Sequence, residues 1–68
     1  MTFGERLHHL RVVAGLSQNE LAKRAKVPQP VISALEGNKQ GTVTLDTATR
    51  LADALGVTLD LLAGRTGR

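Results

Sequence analysis

Apolar residues along this chain recur at three- and four-residue spacing, and no stretch alternates apolar and polar positions for long enough to make a convincing strand. Phe3, Leu7, Leu10 and Ala14 mark one stripe, with Thr2 and Glu5 spaced as a capping box and Gly15 as the stop. The pattern predicts a first helix over 3–14. Ser17 with Glu20 forms a second box, opening a short helix over 18–25 whose inward face is Leu21, Ala22 and Ala25. Lys26, Val27 and Pro28 break it. A third helix carries Val31, Ile32 and Leu35 and ends near Gly37 and Asn38. Pro30 disfavours a helical Gln29 and prefers the first helical position itself, which leaves Gln29 either the N-cap or the first helical residue.

Residues 38–43 read as a polar loop. Thr44 caps a fourth helix with Leu45, Ala48, Leu51, Ala52 and Leu55 on one side, and Gly56 ends it. Thr58 caps a last short helix holding Leu59, Leu61 and Leu62, and 63–68 read as a flexible, basic tail. Helices this short are marginal alone, so they must share one core. The predicted fold is all-α: a compact bundle of five short helices, a single domain over 1–68.

Size limits the chemistry. A chain of 68 residues buries about 60% of its unfolded surface, which leaves little room for a deep substrate pocket. There is no cysteine, hence no disulfide or thiolate metal site. No apolar run approaches the ~18 residues of a membrane span. The first ten residues lack the apolar segment of a signal peptide, so a cytoplasmic location away from membranes is expected. His8 and His9 are adjacent and point about 100° apart on a helix, unsuited to chelating one metal. No phosphate-binding glycine loop, nucleophile motif or metal-ligand spacing is present. Neither catalysis nor a cofactor is expected.

Charge sharpens the picture. The net charge is +3, and it is unevenly spread. Residues 1–40 carry six Lys and Arg against three Glu, while 41–68 carry three Arg against three Asp. A basic excess on one part of a small domain attracts phosphate backbones. It coincides with a helix–tight turn–helix unit, Gln18 to Glu36, in which small Ala22 and Ala25 allow close approach and Val27 plugs the turn. The outward positions of its second helix, Gln29, Pro30, Ser33 and Ala34, are small or uncharged, as suits a helix lying against base edges.

The stretch Gly15-Leu16-Ser17-Gln18-Asn19-Glu20-Leu21-Ala22, followed by Val27 to Glu36, resembles the lambda-repressor-like (Cro-type, XRE-type) helix-turn-helix family. The likeness runs from Phe3 to Leu62 and takes in Arg11 and the Leu51-Ala52 to Leu62 segment. It implies a cytoplasmic, sequence-specific DNA-binding regulator of transcription, a repressor that binds a palindromic operator as a homodimer. Gln29, Pro30, Ser33 and Ala34 would face bases. Gln18, Asn38, Lys39 and Gln40 would hold the DNA backbone. Arg11 and Glu36 would form a structural ion pair. An antitoxin that binds a toxin protein and its own promoter is the alternative. Val57, Leu59, Leu61 and Leu62 offer apolar groups for a dimer surface.

The chain also departs from the family pattern. Lys26 stands where a glycine usually ends the first motif helix, Pro28 stands at the usual Ser/Thr cap, and Gly37-Asn38 follows the glutamate. The turn is therefore made without glycine, or with Lys26 in a left-handed conformation.

Overall fold

Hydroxyl side chains start four of the helices in the computed structural model, which describes residues 2–37 and 43–64. These helices are α1 (Phe3–Val13), α2 (Gln18–Ala25), α4 (Leu45–Leu55) and α5 (Leu59–Ala63), entered through Thr2, Ser17, Thr44 and Thr58. Each hydroxyl accepts from the backbone N–H three residues on, satisfying one of the donors a helix leaves open at its start. At Thr2 and Ser17 the box closes in return, because Glu5 and Glu20 each accept from the cap backbone N–H at 2.8 Å.

The remaining helix, α3 (Gln29–Glu36), begins differently. Its N-cap is Pro28, which supplies no capping side chain. Gln29 is thus the first helical residue and not the cap, and Pro30 is the second. Pro30 is tolerated there because first-turn N–H groups lack intrahelical partners anyway. Val31 N–H turns back to the Pro28 carbonyl at 3.0 Å.

Each helix places one fully buried aliphatic side chain at the centre: Leu7, Leu21, Ile32, Leu51 and Leu62. Full burial of such a side chain contributes about 1.5–3 kcal/mol. The core is completed by Leu16, Ala22, Ala25, Val27, Leu35, Ala48 and Ala52. Around it α1 packs on α3 and α5, α2 on α3 and α4, and α4 on α5.

Three expectations from periodicity are corrected by this packing. Ala14 is the exposed C-cap of α1 and lies outside its apolar stripe. Leu45, at the first turn of α4, is 71% exposed, because α4 meets its neighbours through Ala48, Leu51 and Ala52. Leu62 is core, so it is unavailable to a dimer surface, whereas Leu61 beside it is 39% exposed. At the C-terminal end, Ala63 is the last residue of α5 and Gly64 caps it in a left-handed conformation, so the expected tail does not begin at 63. Its remaining residues, 65–68, and the loop positions Asn38, Lys39 and Gln40 lie outside the described residues.

The turn between α2 and α3 is made by Lys26 at φ 58°, ψ 44°. It is the one non-glycine residue with positive φ among the described residues. The geometry lets the N–H groups of both Lys26 and Val27 reach the Ala22 carbonyl, and Val27 can then enter the core. Arg50 of α4 donates to the Lys26 carbonyl at 3.2 Å and pairs with Asp46 at 3.2 Å, so α4 braces the turn from outside. A side chain in the left-handed region costs about 1–2 kcal/mol. Lys26→Gly is therefore expected to stabilise the fold by about 0.5–1 kcal/mol after the greater flexibility of the unfolded glycine chain is counted. Chemical denaturation of the two proteins checks this, and an unchanged or lower midpoint would show that the turn carries no such strain.

Candidate nucleic-acid interface

The centre of the candidate site is a carboxylate. Glu36 ends α3, its side chain only 6% exposed, and Arg11 reaches it from α1. Arg11 Nε donates to Oε2 at 2.7 Å and Nη2 to Oε1 at 3.0 Å, the bidentate geometry that suits guanidinium and carboxylate. Arg11 Nη1 donates at 2.8 Å to the Leu16 carbonyl in the turn before α2. One guanidinium thus ties the end of α1, the entry to α2 and the end of α3. The expected pair joins residues 25 apart in the chain.

Two further side chains converge on Glu36. Gln18, the first residue of α2, donates from Nε2 to Oε1 at 3.1 Å. His8 Nδ1 lies 3.0 Å from the same oxygen and 3.0 Å from Arg11 Nη2. That single nitrogen donates to the carboxylate when it carries a proton and accepts from Arg11 when it does not. The His8 side chain is 57% exposed, and its place beside Glu36 and Arg11 was not expected from the sequence. The signal was available: His8 precedes Arg11 by three residues on α1, so the two share a face.

The network continues outward. Gln29 Nε2 donates to Gln18 Oε1 at 2.8 Å, which sets the first side chains of α2 and α3 against each other. Gln29 is half-buried by this contact. Pro30 and Ser33 are exposed, and Ala34 is half-buried on the same helix. These outward positions carry no charge, and Ile32 and Leu35 hold the opposite face in the core. Two helix N-termini, with their partial positive charge, therefore open beside an uncharged helix surface.

A family model described as a helix-turn-helix domain matches residues 2–64. The chain belongs to the lambda-repressor-like (XRE-type) helix-turn-helix family. No curated protein matches this helix-turn-helix chain. Among solved structures it is similar to SinR, a master regulator for biofilm formation crystallised in complex with DNA. The likeness has a TM-score of 0.86 at 28% identity and covers 88% of this chain and 95% of that one. Within the matched residues lies the α2–α3 unit, closed at its far end by Glu36.

Burial opposes ionisation of Glu36, but hydrogen bonds from Arg11, His8 and Gln18, with the Arg11 charge, hold its carboxyl below the ordinary value near 4.5. The same bond raises the Arg11 guanidinium. Because the folded value is depressed, the ionised carboxylate stabilises the fold at pH above the ordinary value. That contribution is lost as pH falls through the lowered one. Removing one partner of a buried pair strands the other. Glu36→Ala is expected to lower stability by about 3 kcal/mol at neutral pH and to flatten the acid limb of the stability profile. Urea melts at a series of pH values check both, and a wild-type midpoint at neutral pH would remove Glu36 from this structural role.

Proposed function

We propose that this protein is a transcriptional repressor that reads a palindromic operator as a homodimer, with α3 in the major groove. Family membership and the likeness to a DNA-bound regulator support a DNA-binding regulator of transcription. The observation that carries the finer reading is the Gln18–Gln29 contact at 2.8 Å, which presents Gln29 at the leading end of α3 beside the start of α2. In this reading Gln29 contacts a base edge, where an amide can pair bidentately with adenine N6 and N7. Ser33 offers a hydroxyl, and Pro30 and Ala34 offer apolar surface to a thymine methyl. Gln18 and the loop residues Asn38, Lys39 and Gln40 hold phosphates, which position the protein without reading sequence. Arg11 and Glu36 brace the unit and touch no base.

One helix reads only a few base pairs, so two half-sites about 34 Å apart are needed for useful specificity. Leu61, exposed on α5, and the half-buried Leu59 of the same helix are the apolar groups offered at the C-terminal end for self-association, whereas Val57 packs against the core.

Selection of bound duplexes from random DNA tests the reading. Gln29→Ala is expected to lose preference at one base pair per half-site, at a cost of about 1–3 kcal/mol. Uniform weakening across all sequences would instead make Gln29 a backbone contact. Light scattering at high protein concentration is expected to give twice the monomer mass without DNA, and the mass of two monomers plus one duplex with the selected duplex. A monomer under both conditions would overturn the homodimer.

A further inference from the structure

We infer that Glu36 is a specificity-positioning residue, which acts through Gln18 to fix which end of the Gln29 amide faces outward and so favours adenine over guanine. The inference rests on the proposed base contact by Gln29 and adds to it the device that sets its polarity.

An ionised carboxylate can only accept hydrogen bonds. The Gln18 atom 3.1 Å from Glu36 Oε1 must therefore be the amide nitrogen. With Nε2 held there, Gln18 turns Oε1 the other way, and a carbonyl oxygen also only accepts. The Gln29 atom 2.8 Å from Gln18 Oε1 must then be its amide nitrogen too. Each amide orientation follows from the one before it, and the series begins at Glu36. The carboxylate itself is held in place by two bonds from Arg11.

The consequence lies at the outer end. Gln29 is left with a free Oε1 and one remaining N–H. That acceptor–donor pair matches the N6 donor and N7 acceptor of adenine. Guanine shows two acceptors on the same edge, N7 and O6, and needs two donors. The Gln29 amide supplies them only if it is reversed, with Oε1 towards Gln18. Reversal would require Gln18 to turn Nε2 towards Gln29 and bring Oε1 against the Glu36 carboxylate, acceptor against acceptor. Gln18 also keeps one N–H free, the group a phosphate can accept from while the relay stays intact.

The test compares duplexes that differ only by adenine or guanine at the base pair that Gln29→Ala makes indifferent. Glu36→Gln replaces an acceptor-only group with an amide that can present either end, so the adenine-over-guanine ratio is expected to fall by about tenfold. Gln18→Ala cuts the relay and is expected to lower the ratio similarly, along with a uniform loss of affinity from the phosphate contact. In the Gln18→Ala background, Glu36→Gln is expected to lower the melting temperature but leave the ratio where it is. A role confined to stability would leave the ratio untouched in every background. An unchanged ratio in Glu36→Gln that still binds DNA overturns the inference. So does an unchanged ratio in Gln18→Ala, which decides alone should Glu36→Gln fail to fold. If Gln29→Ala itself alters preference at no base pair, the base contact fails and the inference with it. If Gln29→Ala alters preference but Gln18→Ala does not, the base contact stands and only the relay is lost.

Discussion

A carboxylate withdrawn from water at the end of α3 must be matched by donors, and the arrangement of this protein follows from how Glu36 is matched. Arg11 supplies the charge and two of the bonds. Because the same guanidinium also holds the Leu16 carbonyl, satisfying Glu36 fixes the angle at which α1, α2 and α3 meet. The aliphatic core alone would tolerate small slides between these helices, since apolar contact has little directionality. A bidentate pair does not. The ion pair therefore contributes geometry at least as much as free energy, which suits a domain whose second motif helix must be aimed.

The turn between α2 and α3 is the other constraint on that aim. Lys26 adopts the left-handed conformation that a glycine would take at less cost, and it does so because two N–H groups and the Val27 side chain gain partners inside. Arg50 closes over the turn from α4. The absence of a capping side chain at Pro28 fits the same picture. The start of α3 is held by tertiary contacts, the Gln29–Gln18 bond among them, where the other helices rely on a local hydroxyl.

Local physics explains how much of the candidate site was legible beforehand. Gln18 and Gln29 were nameable as site residues through the family likeness. Short-range signals (Ser17 with Glu20) placed Gln18 at a helix start, whereas Pro30 left Gln29 either cap or first helical residue until the fold decided it. The Arg11–Glu36 pair was nameable only through the family likeness, since no rule of spacing connects residues 25 apart. The contacts of His8 and of Gln18 with the same carboxylate were not read at all. They depend on where three helices cross.

The sequence by itself determined the number and type of the elements. Cap residues, prolines and glycines act within a few bonds, so the five helices among the described residues, most of their ends and the all-α class follow from them. Apolar spacing also identified Leu7, Leu21, Ile32 and Leu51 as inward-facing. Only the tertiary structure decided which apolar side chain of the short α5 reaches the centre, taking Leu62 and leaving Leu61 to solvent. Five residues of helix span little more than one turn, too few for periodicity to select a face. It also decided the junction of Arg11, Gln18 and Glu36, because that depends on the crossing of α1, α2 and α3. Those crossings are set by packing the whole core and satisfying Glu36 at once.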